Sequence, residues 1–200
     1  MSEVSSESIW EGKRVRLRAI EPEDWPTFFD WNQDSEAARG MYYIPFPGSQ
    51  ESVKRWAEKL ATQEPDDDKF FFVVETVEGE VLGSISAHSC EPHHGTFAYG
   101  IGIRREHQHK GYASEAILLL LRYFFLELRY QKATVEVYSF NDRSVKMHER
   151  LGFQLEGRLR RMIFTRGRHY DKLVFGMTIE EFIEKHRGAF PQSDEDEEQA

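Results

Sequence analysis

The stretch Phe97-Ala98-Tyr99-Gly100-Ile101-Gly102-Ile103 is followed at once by Arg104-Arg105-Glu106-His107-Gln108-His109-Lys110-Gly111-Tyr112-Ala113. Bulky and small residues alternate in the first part, and this period of two predicts a β-strand with one bulky face and one nearly bare face. The apolar residues that follow recur at the spacing of a buried helix face: Ala113, Ala116, Ile117, Leu120, Tyr123 and Phe124. The sequence therefore predicts a strand, a tight glycine turn and a long apolar helix over residues 97–129.

The turn between this strand and this helix has the composition of an anion-binding site. The start of a helix leaves about four backbone N–H groups without partners, and the helix dipole favours negative charge there. Gly111 lets a phosphate approach these groups without a Cβ in the way, and His109 and Lys110 add side-chain donors. The pattern indicates a cradle for a pyrophosphate, with an ordinary tight turn as the alternative. The P-loop is excluded because Lys110 precedes Gly111 instead of following it. The dinucleotide-binding fingerprint is excluded because Arg105 stands where its third glycine would be required after Gly100 and Gly102.

Length and composition indicate one soluble domain. The 200 residues are enough to bury a substantial core, and the hydrophobic and charged shares of 40% and 30% are typical of globular proteins. The formal net charge is −9, but residues 194–198 are all acidic, so the rest of the chain is only mildly acidic. We therefore expect no nucleic-acid partner. We also expect a flexible N-terminus over residues 1–9, a single domain over residues 10–190 and a disordered acidic tail over residues 191–200.

Cysteine usage and the absence of targeting signals predict a cytoplasmic protein. Cys90 is the only cysteine, so no intrachain disulfide is possible and a reducing compartment is expected. The N-terminal residues lack the basic and apolar regions of a signal peptide, and no apolar run is long enough to span a bilayer. His88, Cys90, His93 and His94 lie close together, but their spacing matches no standard zinc pattern, so no metal is expected.

The remaining segments predict an α+β, or mixed α/β, domain with one twisted and mostly antiparallel sheet. Further strands are predicted at residues 13–20, 70–76, 81–87, 133–138, 153–161 and 170–177, and further helices begin near Pro22, Ser49, Asn141 and Thr178. Residues 39–48 contain two prolines and are not expected to form a regular helix. This aromatic loop either packs against the core or forms the wall of a pocket.

Three features together resemble the GNAT acetyltransferase superfamily. The segment Gln108-His109-Lys110-Gly111-Tyr112-Ala113 fits the signature Gln/Arg-x-x-Gly-x-Gly/Ala at the joint between strand and long helix. Asn141-x-x-Ser144, followed by Leu151-Gly152-Phe153, resembles the next motif of the family. Residues 15–25 and 156–160 are similar to the branch that contains the ribosomal-protein N-terminal and the spermidine acetyltransferases. The resemblance covers residues 10–187 and implies a GNAT-like sheet with a parallel pair at a split between two central strands, flanked by helices.

The resemblance implies acetyl-CoA as the acetyl donor and no metal. Its pyrophosphate would lie on the turn formed by Gln108, His109, Lys110, Gly111, Tyr112, Ala113 and Ser114. Its pantetheine arm would pair like an extra strand with the backbone of Ile101, Gly102 and Ile103, and Asn141 and Ser144 would contact it from across the split. The bare face at Gly100 and Gly102 would suit a ligand lying close. Asn141 can also be a helix cap, and the two roles are compatible.

The resemblance also assigns a catalytic position. In many relatives a tyrosine one helical turn before Leu-Gly-Phe donates a proton to the departing CoA thiolate, and His148 occupies that position here. His148 can donate a proton as imidazolium or a hydrogen bond as neutral N–H. Because the reference pKa of histidine is about 6.5, the activity would change with pH near that value, which is not expected of an enzyme that uses tyrosine. The alternative is a histidine that fills space on a helix face. Relatives acting on polyamines tend to carry a strand glutamate that is missing here, which leaves Glu136 and Tyr138 as candidate bases.

The implied reaction is direct attack of a neutral primary amine on the acetyl thioester. The acceptor would be a protein N-terminus or a small cationic amine, such as a polyamine or an aminoglycoside. Residues 41–46 and the hairpin around Arg166 are the segments expected to form its walls. A non-catalytic acyl-CoA-binding or regulatory domain is the alternative function. The oligomeric state, including a homodimer, stays open.

Overall fold

The computed structural model describes residues 8–41, 43–64 and 68–187. The acidic tail expected over residues 191–200, and all but the last two residues of the expected flexible N-terminus, lie outside the described residues.

In the part of the chain that the structure describes, seven strands form one sheet in the order β1-β2-β3-β4-β5-β7-β6. The strands are β1 (Val15–Ala19), β2 (Phe70–Thr76), β3 (Val81–Glu91), β4 (Thr96–Ile103), β5 (Lys132–Tyr138), β6 (Gln154–Thr165) and β7 (Arg168–Thr178). β4 and β5 run parallel, whereas the other neighbouring strands pair antiparallel. The expected mixed fold, with a mostly antiparallel sheet and a parallel central pair, is confirmed.

The described residues form six α-helices, which flank the sheet. They are α1 (Trp25–Trp31), α2 (Ser35–Met41), α3 (Gln50–Ala61), α4 (Tyr112–Arg122), α5 (Asp142–Leu151) and α6 (Ile179–His186). α4 continues into a π-helical segment, Tyr123–Glu127, so the predicted long apolar helix is present. α5 ends at Gly152 in the left-handed conformation that favours glycine.

Two apolar clusters, one on each face of the sheet, hold the helices in place. The larger cluster joins α4, through buried residues such as Ile117 and Leu120, to the sheet residues Leu17 and Phe97. The smaller cluster packs α1 and α3 against the sheet and contains Ile20, Phe28, Trp31, Val53, Ala57 and Val73. Helix α4 and the aromatic helix α1 therefore stabilise the central strands from opposite sides.

A buried ion network ties the first strand to the start of α1. Arg18 donates to both carboxylate oxygens of Asp24 over 2.7 and 2.8 Å, and its Nε donates to Glu75 over 2.7 Å. Arg16 also pairs with Glu75, which is 2% exposed. Burial alone would raise the pKa of Asp24, but the hydrogen bonds from Arg18 and from the Glu21 amide lower it overall. Asp24 is therefore ionised, and all of its hydrogen bonds lie within this network.

One sequence expectation is wrong at its boundary. Residues 39–48 were expected to contain no regular helix, but α2 extends through Arg39 and Gly40 to Met41. The prolines stand at positions 45 and 47, and they constrain only their own neighbourhood. Residues 43–49 are irregular, and Ser49 caps α3.

The two glycines of β4 provide a matched test of the packing. A Cβ on Gly102 would lie 2.8 Å from Met41 Sδ and 2.9 Å from the Trp31 ring, whereas one on Gly100 would find Ser86 Oγ at 3.9 Å as its nearest neighbour. We expect Gly102→Ala to lower the free energy of unfolding by about 1–3 kcal/mol through overpacking. Gly100→Ala should leave it unchanged or slightly higher, because alanine restricts the unfolded chain. Urea denaturation of both variants checks this, and equal effects would contradict the packing described here.

Candidate active site

The central feature of the site is a gap between β4 and β5, which we call the split. Only three residue pairs join these strands: Thr96 with Lys132, Phe97 with Ala133, and Ala98 with Thr134. From Tyr99 onward β4 keeps β3 as its sheet neighbour, and from Val135 onward β5 keeps β7. Residues 99–103 and 135–138 therefore form the two walls of a wedge that opens towards the carboxyl ends of both strands.

The wall formed by β4 presents backbone groups to the split. The carbonyl oxygen of Phe97 accepts from Thr134 Oγ1 of β5 over 3.2 Å, so Phe97 directs its backbone groups towards β5. Because backbone groups alternate between the two sides of a strand, those of Tyr99, Ile101 and Ile103 point the same way. Consistently, the Ile103 carbonyl oxygen accepts from Gln108 Nε2 over 2.9 Å rather than from β3. This edge can pair with an extended ligand.

The turn that leads from β4 into α4 exposes a run of N–H groups. His109 and Gly111 both have a positive φ, of +65° and +84°, and Gly111 caps the helix. Among the described residues, no acceptor lies on the backbone N–H groups of residues 111–114. A concave run of free N–H groups at a helix start binds anions. We call these residues the N–H cradle.

Arg14, which precedes β1, fixes the outer side of this turn. It donates through Nη1 to the Lys110 carbonyl oxygen over 2.7 Å and pairs with Glu115 through Nε over 2.9 Å. Its guanidinium also lies 5.5 Å from the centre of the Tyr112 ring. Arg14 thus occupies a carbonyl oxygen on the far side and leaves the N–H groups free. Sequence reasoning missed Arg14, because 96 residues separate it from its partner Lys110.

The other predicted residues of the turn have distinct surroundings. Gln108 uses its side chain within the protein, since Nε2 bonds Ile103 and Oε1 accepts from Arg143 of α5 over 3.3 Å. The side chains of His109 and Lys110 are exposed. Gln108 thus connects the end of β4 to α5. His109 and Lys110 stand exposed beside it, at the open end of the split.

Asn141 and Ser144 lie on the far wall, at the start of α5. Asn141 Oδ1 accepts a hydrogen bond from the Ser144 amide over 3.2 Å. Asn141 is therefore the N-cap of α5, which is one of the two roles that its sequence position suggested. Its Nδ2 lies 3.7 Å from the position that a Cβ on Gly40 would take. Ser144 directs its hydroxyl towards His148, with Oγ 3.3 Å from Nδ1.

His148 is buried, with 1% of its surface exposed, and its protonation state follows from its contacts. Nδ1 lies 2.8 Å from the Ser144 carbonyl oxygen, which can only accept, so Nδ1 carries the proton. Burial lowers the pKa of His148 to about 4, although the bond to Ser144 opposes this shift. His148 is therefore neutral near pH 7, and Nε2 presents a lone pair.

The neutral state of His148 bears on the hypothesis that this side chain donates a proton to the CoA thiolate. The imidazolium form is scarce near neutral pH, and the proton of the neutral ring is already donated to Ser144. In the resting protein Nε2 is thus an acceptor, and no described residue satisfies it. For the same reason, the reaction rate is not expected to change with pH near the ordinary histidine pKa.

Tyr99 supplies a second unsatisfied polar atom beside His148. The residue is 2% exposed, its hydroxyl has no partner among the described residues, and its ring centre lies 6.0 Å from that of His148. Burial raises the pKa of Tyr99 well above its usual value, so the hydroxyl keeps its proton. A buried polar group without a partner costs about 1–3 kcal/mol. Sequence reasoning missed Tyr99, since nothing in the strand pattern separates it from a core tyrosine.

α2 crosses the open end of the split. The Met41 carbonyl oxygen accepts from the Tyr138 hydroxyl of β5 over 3.2 Å, while the Met41 side chain and Trp31 cover Gly102 of β4. The expectation of a bare track along Gly100 and Gly102 is therefore wrong at Gly102. The fold fills the space of the missing side chain with Met41 and Trp31.

Beside this crossing, the two expected acceptor segments meet. Arg39 Nη1 donates to Thr165 Oγ1 over 2.8 Å, and Arg166 pairs with Glu36. The space between them is a cavity of about 240 Å³, which we call the side pocket. Its lining residues are Arg39, Tyr43, Ile44, Ile163, Phe164 and Thr165.

The remaining sequence candidates lie elsewhere. Glu136, one candidate base, pairs with Lys172 over 2.7 Å and is half exposed, whereas Tyr138 bonds the backbone of α2. Across residues 8–41, 43–64 and 68–187, no three histidine, cysteine or acidic side chains converge in a way that could hold a metal ion. Within the same residues, no helix is long and apolar enough to cross a membrane.

Comparisons with known proteins agree with this geometry. The family model for the acetyltransferase (GNAT) domain matches residues 14–154. An uncharacterised N-acetyltransferase derived from the SPbeta prophage of Bacillus subtilis (strain 168) is 42% identical over 179 residues, which are 90% of this chain and 98% of the relative. The spermidine N(1)-acetyltransferase of Vibrio cholerae is 28% identical over 158 residues, 79% of this chain and 89% of that protein.

A solved structure gives the same result. The spermidine N-acetyltransferase from Vibrio cholerae, in complex with CoA and spermine, has a TM-score of 0.73 at 25% identity, covering 84% of this chain and 98% of that chain. This chain belongs to the GNAT acetyltransferase family, and it is an acetyl-CoA-dependent N-acetyltransferase.

The neutral state of His148 should be visible in the pH dependence of stability. Folding lowers its pKa from about 6.5 to about 4, so between these values the unfolded chain binds the proton and the native protein does not. Stability is therefore lost as the pH falls through this window, by up to about 3 kcal/mol from this group. Urea denaturation from pH 7.5 to pH 4 checks it, with the non-titrating His148→Gln variant as the control. Parallel curves for the two proteins would contradict a buried neutral His148.

Proposed function

We propose that this protein moves the acetyl group of acetyl-CoA to a primary amine, with the CoA portion lying along the split. The observation that carries the proposal is the continuity of two features: the N–H cradle stands where the free backbone edge of β4 ends. A ligand with an anion at one end and a chain of amides behind it matches both. Acetyl-CoA, when bound, supplies an acetyl group activated as a thioester.

The residues of the split divide the binding among them. The N–H groups of the cradle, with His109 and Lys110 at its mouth, would hold the pyrophosphate, and Tyr112, Ala113 and Ser114 belong to the same first helical turn. The backbone of Ile101 and the N–H of Ile103, whose carbonyl oxygen is used by Gln108, would pair with the pantetheine arm. The predicted contact through Gly102 is not proposed, because its backbone groups lie on the β3 side of the strand. Asn141 and Ser144 would form the opposite wall. Gln108 would act indirectly, by holding both walls at a fixed distance.

His148 remains the candidate group for proton transfer at the inner part of the split. Because Nε2 presents a lone pair, His148 would first accept a proton from the attacking amine and only then donate it to the departing sulfur. The side chain can serve both steps without moving, since Nδ1 is held by Ser144.

Different observations support different acceptors. The likeness to spermidine acetyltransferases supports a polyamine. The side pocket instead combines apolar side chains such as Ile44 and Phe164 with the guanidinium group of Arg39. Arg39 and the nearby Arg166 share the single carboxylate of Glu36. Such a surplus of positive charge repels a polycation and favours a protein N-terminus with an apolar or acidic side chain.

An acceptor panel tests the function. Acetyl-CoA is incubated with spermidine, with an aminoglycoside and with short peptides bearing free N-termini, and CoA release is followed with a thiol reagent and product mass. We expect release with at least one primary amine and none with the N-acetylated form of the same acceptor. Binding of acetyl-CoA without release in any reaction would instead indicate a non-catalytic acyl-CoA-binding domain.

Gly111 and Gly167 provide a matched pair for the cradle. Both have a left-handed backbone, with φ of +84° and +74°, but only Gly111 lies in the cradle, whereas Gly167 has open space around it. Each change to alanine should lower the free energy of unfolding by about 1–2 kcal/mol. Only Gly111→Ala should also weaken CoA binding, by at least about tenfold, because the added Cβ would lie 3.0 Å from Arg14 Nη2 and would displace the guanidinium that fixes the turn. Calorimetric titration with CoA checks this, and equal affinities of the two variants would contradict the proposed site.

A further inference from the structure

Two buried polar atoms at the inner end of the split are complementary and both unsatisfied. The hydroxyl of Tyr99 is a donor on β4, and Nε2 of His148 is an acceptor on α5. No hydrogen bond joins them, although their rings lie 6.0 Å apart. Native proteins satisfy almost all such groups, so a pair of them side by side indicates a third group that bonds both.

The position of Tyr99 places this pair at the reacting end of the site. Ala98 is the last residue of β4 paired with β5, so Tyr99 is the first residue of the split. The rings around the pair are apolar: Phe153 lies 6.0 Å from Tyr99 and 5.3 Å from His148, and Phe175 lies 6.2 Å from His148. These rings offer no hydrogen-bonding groups, so the third group must come from a ligand or from water.

A thiol matches the pair in both directions. Its sulfur accepts a hydrogen bond from the tyrosine O–H, and its S–H donates to an imidazole lone pair. The product of the proposed acetyl transfer carries a thiol at the end of the arm that would lie along β4. Building on the proposed function, we infer that Tyr99 is a further catalytic residue, whose hydroxyl donates a hydrogen bond to the departing sulfur while Nε2 of His148 delivers the proton.

The step balances with these two residues. Nε2 accepts the proton that the amine nitrogen loses after it has bonded to the acetyl carbon. As the carbon–sulfur bond breaks, the electron pair goes to sulfur, where the Tyr99 hydroxyl stabilises the charge and keeps its own proton. Nε2–H then breaks and S–H forms, which returns His148 to the neutral state seen in the structure.

Removing the hydroxyl separates catalysis from folding. Because the Tyr99 hydroxyl makes no hydrogen bond in the structure, Tyr99→Phe should leave the melting temperature equal or higher. With the acceptor found in the panel, kcat should fall by roughly tenfold to a hundredfold. The matched control is Tyr130→Phe, since Tyr130 is also 2% exposed but donates to Asp68 over 2.9 Å. Tyr130→Phe should lower the melting temperature and leave kcat unchanged.

A binding measurement decides the inference without turnover. The affinities of CoA and of desulfo-CoA, which lacks the sulfur atom, are compared by calorimetry for the wild type and both variants. The wild type and Tyr130→Phe should prefer CoA by roughly fivefold, and Tyr99→Phe should lose that preference. An unchanged preference in Tyr99→Phe would overturn the inference and leave a buried water as the partner of the pair. If the wild type binds neither compound, the proposed function itself fails, and the inference fails with it.

Discussion

The structure depends on one constraint, which is that β4 and β5 part after three residue pairs. Two adjacent parallel strands at the centre of a sheet normally satisfy each other's backbone groups along their full length. Here the backbone of Tyr99 and Ile101 faces a gap instead of a partner strand. Unpaired backbone groups inside a protein are costly unless something bonds them. The fold therefore maintains a ready-made strand edge in its interior, and the surrounding elements hold that edge open.

The elements at the two ends of the split have opposite character. At the outer end, Arg14 occupies the Lys110 carbonyl oxygen and Gln108 that of Ile103, while the N–H groups of residues 111–114 have no acceptor among the described residues. At the inner end, Tyr99 and His148 stand among phenylalanine rings, where a single charge is strongly felt. In the proposed complex, this separation would place the charged part of CoA in water-accessible surroundings and the reacting part among apolar rings.

The sequence predicts the parts of this site that are local and misses those that tertiary packing creates. Alternation in β4, the tight glycine turn at Gly111 and the Asn141 cap all follow from neighbouring residues, and the structure contains each of them. Arg14 reaches the turn across the sheet, and the burial that makes Tyr99 distinctive depends on α5. Likewise, the sequence of residues 39–48 does not predict the contact of Met41 with Gly102, because this contact depends on how α1 and α2 lie over the sheet.

The state of His148 shows how a cap can set the chemistry of a site. Asn141 fixes the first turn of α5 through the Ser144 amide, and the carbonyl of the same Ser144 then accepts from Nδ1 of His148. The first turn of α5 thus selects the tautomer, which leaves the lone pair on Nε2 without a partner among the described residues. A tyrosine at this position would present an O–H group to the sulfur and would need no second donor. With histidine, the proposed mechanism needs a donor from another element, and Tyr99, whose ring centre lies 6.0 Å from that of His148, has a buried hydroxyl without a partner among the described residues. Under this proposal, two residues would share a task that one tyrosine can perform.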